Sequence, residues 1–500
     1  MQKYSFKKTT LDRLFQPLTH LSNESIGNSF TVPSPSEREF VPVTGFHIYC
    51  DIRLKLSITA GDEDRDSQRY LNIMQDCTTA AEQCAEIAGV RLLEVQTDKL
   101  HFIIESPIAN DASIGRMLAF CTAFTKRVFE QVMPRDPGAW KGFAMAVDHG
   151  PAIIVNPRWD TSDSFVSLGV AANTPAKRLY EEPTVETGRV AINENMRRPD
   201  NNDQKPKWKN ILVYSKTTPT EIHLDADLDL RMFNALTNRL SESHGGNLIK
   251  LSIANEFLRS QAGGVKSPAR VQGFYKRADI DGFTAAVKAA FAEKTDEAIE
   301  KLLLAFFEAM SVPVKFKDLM AKRQIEIYQL PWAGDCANMI VFPPASQTYQ
   351  ASRLQIPFAV SLAWQEMEVT APRKWAVAVG GGGNEESEGA NGALLIARVQ
   401  AGQRSFLLAA GWGSQRSHDA QQSDGLRGTE TALHKNDVDA LEETLRKPFK
   451  GEGIFRKATL AEMKKAQEEN TRALGRSKPI TVAGVTAKIP AARPHFDGNV

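Results

Sequence analysis

The chain has 500 residues, too many for one ordinary domain and enough for two or three, and 42% of them are apolar, enough for real cores. Its 61 basic residues against 60 acidic ones exclude a general nucleic-acid scaffold, which carries a basic excess, and leave room for a nucleotide in a local positive pocket. The five cysteines (Cys50, Cys77, Cys84, Cys121, Cys336) form no CxxC pair or metal spacing, and no apolar run reaches membrane-spanning length. The expectation is a cytoplasmic protein with free thiols and no membrane contact.

Residues 1–40 are rich in Ser, Thr and Pro and read as a polar arm. From Gly45 a strand pattern begins, with Phe46, Ile48, Cys50 and Ile52 on one face. A helix is predicted over about 66–88, ending near Gly89, and Arg91–Glu105 alternates like a hairpin. A second helix is predicted over about 112–133, then two short strands, Phe143–Val147 and Ala152–Val155, then a helix from Asn173 to about Glu182. The order βαββαβ implies an α+β fold with helices on one sheet face. Residues 219–268, broken at Gly245-Gly246, read as a helical connector. The tail, 461–500, contains Pro, Ala and Gly, and is expected to be disordered or to lie along the surface.

After the connector the pattern restarts. Phe46-His47-Ile48-Tyr49-Cys50-Asp51-Ile52 is echoed by Phe274-Tyr275-Lys276-Arg277-Ala278-Asp279-Ile280. Thr97-Asp98 is echoed by Gly334-Asp335, and Phe143–Val147 by Trp375–Val379. Three echoes in one order, each offset by roughly 230 residues, indicate a duplicated domain occupying 41–218 and 269–460.

The second copy carries the denser chemistry. Asp279 ends a strand run and is followed by Ile-Asp-Gly-Phe-Thr and a helix; Asp335 follows Gly334 at a turn. Each aspartate alone reads equally as a turn residue or a helix cap. Together at the strand ends of one sheet they would repel unless a cation lay between them. Hard oxygen ligands without histidine suit Mg²⁺ or Mn²⁺. The Gly282-Phe283-Thr284 turn opening a helix offers free N–H groups to phosphate. The combination points to phosphoryl-transfer chemistry.

Ala278-Asp279-Ile280-Asp281-Gly282-Phe283-Thr284 resembles the first metal motif of class III adenylyl and guanylyl cyclases, and Gly334-Asp335 resembles their second. Gly169-Val170-Ala171-Ala172-Asn173-Thr174-Pro175-Ala176-Lys177-Arg178-Leu179 resembles the Gly-x-x-x-Asn-x-Ala-Ala-Arg helix of that family. The resemblance implies two ferredoxin-like palm domains paired head to tail within one chain, with active sites between them. It implies two Mg²⁺ or Mn²⁺ ions at Asp279, Ile280 and Asp335, and a nucleoside triphosphate substrate cyclised with release of pyrophosphate. Asn173 would orient the ribose, and Lys177 or Arg178 would stabilise the transition state. Lys177 stands at the family position, whereas Arg178 has the bidentate fork. Asn173 alone could equally be a helix N-cap. Lysines 205, 207 and 209 lie where the family often has a phosphate-binding lysine, and read otherwise as a solvated loop.

The copies are not equivalent. After Asp51-Ile52-Arg53 the first has Leu54-Lys55-Leu56 in place of Gly-Phe-Thr, and the second has no Asn-then-Arg near Gly425–Thr429. One composite site is implied, with metal aspartates from the second copy and Asn173 from the first. The positions that read the base in the family hold Glu94 and Val166 here, which departs from the adenine pattern. Tyr49 is similar to the tyrosine of bacterial pyrimidine cyclases of anti-phage signalling, where bulk excludes a purine; as a residue of a strand it also reads as core. UTP or CTP is the expected substrate, and a separate effector protein would read the product. The alternatives are a guanylyl or adenylyl cyclase and a degenerate nucleotide-sensing module.

Overall fold

In a computed structural model the described residues are 6–15, 38–55, 63–157, 162–181, 188–197, 206–214, 269–321, 327–342, 360, 363–364, 375–381, 393–402, 404–410, 430–434, 455–459, 477–482 and 485–490. The connector expected at 219–268 and the stretch Gly425–Thr429 lie outside them. In chain order the first half holds β1 (Phe6–Lys8), α1 (Leu11–Leu14), β2 (Arg38–Leu54), α2 (Glu63–Ala88), β3 (Arg91–Val95), β4 (Lys99–Glu105), α3 (Asp111–Arg127), β5 (Trp140–Val155), β6 (Val166–Leu168), α4 (Val170–Glu181), β7 (Arg189–Asn193) and β8 (Trp208–Leu212). The second holds β9 (Ala269–Gln272), β10 (Phe274–Ile280), α5 (Phe283–Glu293), α6 (Asp296–Ala321), β11 (Ile327–Gln329), β12 (Cys336–Val341), β13 (Trp375–Gly381), β14 (Ala393–Ala401), β15 (Arg404–Ala410), β16 (Glu430–His434) and β17 (Phe455–Thr459). A hairpin of β18 (Ser477–Val482) and β19 (Val485–Pro490) occupies the tail.

Two sheets have the same strand order, β3-β4-β2-β5-β7-β8 and β11-β12-β10-β13-β16-β17. In both, the first four strands by sequence lie in the ferredoxin-like order: second, third, first, fourth. The registers also agree. Asp51 sits opposite Lys99 and Ala144, and Asp279 opposite Cys336 and Ala376. In each sheet the fourth strand pairs in parallel with the next, β5 with β7 and β13 with β16.

Three local expectations need correction. The two short strands around Gly150-Pro151 are one strand, β5. Pro151 falls between the stretches of β5 that pair with β7 and with β6, where its second flank has no partner and a missing donor is tolerated. The first strand is longer than expected, beginning at Arg38 and accepting β1 of the N-terminal arm as a parallel neighbour. The helix expected from Asn173 begins at Val170.

Each half completes the core of the other. Phe40, Ile153, Val155, Val166 and Leu168, from the far ends of β2 and β5 and from β6, are buried in the cluster built on α5 and α6. Ala397, Val399, Ala401, Phe406 and Leu408, on β14 and β15, are buried in the cluster built on α2 and α3. Polar contacts fix the second arm: Gln75 Nε2 donates to Gln400 O at 2.7 Å, and Thr97 Oγ1 to Ala409 O at 2.7 Å. Arg404 donates to the carbonyls of Leu92, Leu93 and Asp163 and lies 4.7–5.0 Å from the ring centroids of Phe406, Phe15 and Phe165. No helix among the described residues is long and apolar enough to cross a membrane. All five cysteines are buried free thiols.

Candidate functional site

Asp279 is the penultimate residue of β10, a central strand, and Asp335 lies in the turn that leads into β12. Ile280 N–H donates to Asp335 O at 3.4 Å, which brings the two strand ends together. The Ile280 side chain is buried in the core, so only its main chain is available to a ligand. Burial pushes both carboxyls up; the Asp279 charge raises Asp335 further, the Arg277 guanidinium opposes the rise at Asp279, and the Lys177 ammonium opposes it more weakly at both. Two neighbouring buried carboxylates are relieved by a cation. The donor set is hard oxygen, with no third His, Cys, Asp or Glu among the described residues, so it fits Mg²⁺ or Mn²⁺ with the remaining positions left to main chain, water and phosphate.

The turn after β10 fits phosphate. Gly282 has φ +71° and is the N-cap of α5, with no side-chain cap bond and nothing within 4 Å of where a Cβ would stand. The first N–H groups of α5 are therefore uncapped by a side chain and open. The Phe283 ring is not part of that cradle: it packs in the core, 5.8 Å from Phe306. Thr284 is half-buried at the cleft.

Helix α4 comes from the other half. Gly169, just before it, lies so close to β5 that a Cβ would stand 2.7 Å from Pro151 O and from Ala152 Cβ, so only glycine fits. This close approach starts the helix early and puts Asn173 within its first turn, its N–H donating to Gly169 O at 3.3 Å, rather than at an N-cap. Asn173 then faces the second half. Its Oδ1 lies 3.6 Å from where a Cβ on Gly334 would stand, and it shares a cleft of about 230 Å³ with Gly169, Phe283, Thr284, Gly334 and Asp335. One turn on, Lys177 is exposed and acts on both aspartates. Arg178 instead lies 5.5 Å over the Trp208 ring. Of the three lysines, Lys207 pairs with Glu194 at 2.9 Å, Lys209 is half-buried on β8, and Lys205 lies outside the described residues.

A second cleft, about 460 Å³, runs between the halves and is lined by Glu94, Gln96 and Thr97 on one side and Tyr275, Arg277 and Asn338 on the other. Glu94 accepts from Gln96 Nε2 at 2.8 Å and is pushed up by burial to about 8, which the Gln96 bond opposes. Tyr49 and Val166 line neither described cleft. Tyr49 is buried, stacked on His101 with centroids 4.0 Å apart and packed with Leu179 of α4. Val166 is buried in the core of the second half.

The raised Glu94 has a testable sign. The folded chain binds its proton more tightly than the unfolded one, so Glu94 destabilises increasingly as pH rises from about 4.5 to 8. Glu94→Gln keeps an acceptor for Gln96 and removes the charge. It is expected to raise stability by up to about 4 kcal/mol at pH 8.5 and to make no difference near pH 4. Urea melts of both proteins at the two pH values test this; a gain independent of pH contradicts it.

Two residues at these positions were not singled out from sequence. Arg277 lines the larger cleft. Arg53, at the position matching Asp281, donates to Asp51 Oδ2 at 2.8 Å and to Leu179 O at 3.1 Å. The readable signal for Arg53 was the opposite charge at matched positions of the repeat.

No protein-family model and no curated protein matches the chain. Among solved structures it is similar to a class III adenylyl cyclase-like ATP-binding protein from Pseudomonas aeruginosa, with TM-score 0.60 and 17% identity, over 94% of this chain and 95% of that one. A guanylyl cyclase domain of the RhoGC fusion protein from Blastocladiella emersonii matches with TM-score 0.25 and 16% identity, over 32% of this chain and 86% of that one. A guanylate cyclase domain from Catenaria anguillulae in complex with GTP matches with TM-score 0.24 and 14% identity, over 31% and 81%. The chain has a mixed α+β fold similar to that of class III adenylyl cyclase-like proteins.

Proposed function

We propose that the chain is a nucleotidyl cyclase with one composite site between two divergent cyclase domains, turning a nucleoside triphosphate into its 3′,5′-cyclic mononucleotide and pyrophosphate. The observation that carries this is the meeting of Asn173 and Lys177, on α4 of the first half, with Asp279, Asp335 and the uncapped start of α5 in the second. The polyphosphate lies on the N–H groups of α5. Asn173 hydrogen-bonds the ribose and aims its 3′-oxygen at the α-phosphorus. Lys177 neutralises charge growing on the α-phosphate oxygens. Asp279 and Asp335, with the Ile280 main chain, would hold two divalent ions, which would supply acidification of the 3′-hydroxyl and neutralisation of the polyphosphate.

For the base, the proposal is a pyrimidine, UTP or CTP, read by Glu94 from the larger cleft, with Tyr49 filling the sheet face beside it. Below about pH 8 Glu94 is mostly protonated, and so both donates and accepts. That matches the N3/N4 edge of cytosine and, with its two oxygens exchanged, the N3–H/O4 edge of uracil. Val166, buried elsewhere, takes no part. The product would act through a separate effector protein, and anti-phage signalling is the setting that the pyrimidine resemblance implies.

A second reading is a nucleotide-binding module without turnover. It is favoured by the ATP-binding protein of similar fold and by the N1/N6 edge of adenine, which a neutral Glu94 also matches. Purified protein with Mn²⁺ and each of the four ribonucleoside triphosphates, analysed by mass spectrometry and in parallel by calorimetry, separates the two. Cyclic product from CTP or UTP, abolished by excess chelator, is expected; tight ATP binding with no product from any triphosphate would establish the module instead.

A further inference from the structure

The first half keeps the counterpart of the metal pair. Asp51 and Asp98 hold the register positions of Asp279 and Asp335, and Ile52 N–H donates to Asp98 O at 2.7 Å, as Ile280 does to Asp335 O. What surrounds the pair is different. Where α5 opens four residues after Asp279, β2 still runs to Leu54 and Lys55 is not helical. In the place of Asp281 stands Arg53, whose Nε donates to Asp51 Oδ2 at 2.8 Å with the two side chains only 18% and 10% exposed. Burial and the Asp51 charge push Asp98 up to about 6, a rise that the Lys99 charge and, more weakly, the Arg53 charge oppose. Arg53 Nη2 reaches Leu179 O at 3.1 Å, on the helix that carries Asn173 and Lys177.

We propose that Arg53 is the resident cation of the first half: its guanidinium holds Asp51 in the role that a divalent ion would have beside the Asp51–Asp98 pair, and ties that strand end to α4. The site has changed from a metal site into a clamp. A guanidinium suits this because it is always charged and offers donors in several directions, so one group can bond a carboxylate and a helix carbonyl together. Two carboxylates without it would repel, and the strand end and α4 would lose their shared anchor. Arg53 is thus a positioning residue that acts on the composite site through α4. The inference rests on the pair being the counterpart of Asp279 and Asp335, and not on turnover.

The test uses the full chain with Asp279→Asn and Asp335→Asn, which removes the second-half pair while keeping its shape. Mn²⁺ binding is followed by loss of the free-ion electron paramagnetic resonance signal at millimolar Mn²⁺, with no nucleotide present. With Arg53 intact no ion is expected to bind. Adding Arg53→Gln is expected to create one Mn²⁺ site per chain, which Asp51→Asn then removes. The melting temperature gives an independent reading. Arg53→Gln is expected to lower it by several degrees and Mn²⁺ to restore part of that loss, while NaCl of equal ionic strength does not. Arg53→Lys, which keeps a cation, should stay folded and bind no Mn²⁺. Mn²⁺ bound at Asp51 while Arg53 is present, or an Arg53→Gln protein that neither binds Mn²⁺ nor is rescued by it, overturns the proposal. Neither result bears on whether the composite site turns over nucleotide, which the four-triphosphate assay decides separately.

Discussion

Asp279→Ala is expected to reduce turnover by several orders of magnitude in a chain that stays folded, while Asp51→Ala leaves most of it. The reason is the company each carboxylate keeps. Asp279 stands beside Asp335 within reach of the Lys177 charge, at the strand end that leads into the uncapped start of α5. Removing it halves the protein's charge toward a divalent ion, and nothing nearby among the described residues replaces it. It relieves repulsion between two buried like charges but leaves the buried Arg277 guanidinium with less opposite charge nearby, so the cost to the fold is small beside the loss of activity. Asp51 is held by Arg53 instead. Its removal leaves a partly buried guanidinium short of a partner, which costs about 1–3 kcal/mol of stability and loosens one anchor of α4 while leaving every group of the composite site in place. Steady-state rates of both variants, each after a melting check, make the comparison. A dead, well-folded Asp51→Ala protein beside an active Asp279→Ala protein would mean that the halves have been assigned the wrong way round.

The second large effect separates two adjacent basic residues. Lys177→Ala is expected to lower kcat by ~10²–10³, the usual consequence of losing a donor that stabilises charge in the transition state. Arg178→Ala loses its contact with the Trp208 ring, worth about 0.5–1 kcal/mol, and is expected to change stability more than rate. Side chains one residue apart on a helix point about 100° apart, so they cannot both face the aspartates. Lys177→Arg is the informative third variant: a fork at the productive position should keep activity well above the alanine level. If Arg178→Ala is the slower enzyme, Lys177 is only a counter-charge for the two carboxylates.

Much of the fold was legible because the repeat put matched residues at matched strand registers: Asp51 with Asp279, and Phe143–Val147 with Trp375–Val379. The proposed composite site was read from the sequence for a related reason. Complementary losses in the two copies, Gly-Phe-Thr missing after Asp51 and the Asn-then-Arg pattern missing from the second, pair the surviving pieces. What stayed hidden depends on contacts that alternation along a strand does not report. Inward and outward follow from the period of two, but what covers each face does not. Tyr49 therefore read as a pocket residue, although its ring is covered by His101 and α4. Val166 read as a base contact, although the core of the other half encloses it. The continuity of β5 through Gly150-Pro151 depends on which flank has a neighbour, a property of the sheet and not of the dipeptide.

The reciprocal arms bear on how such a chain changes over generations. In an assembly of identical subunits each substitution appears at every site at once, and damage to one pocket is damage to all. Here Val166 and Leu168 must fit the second half, and Val399 and Phe406 the first, so the two halves stay mated. Because they share one chain, their encounter is intramolecular and does not weaken on dilution. Asp51 and Asp279, by contrast, have different neighbours and can follow separate histories. Arg53 in one copy where the other has Asp281 is a trace of that independence, a charge reversal that a symmetric dimer would have had to carry in its working site as well.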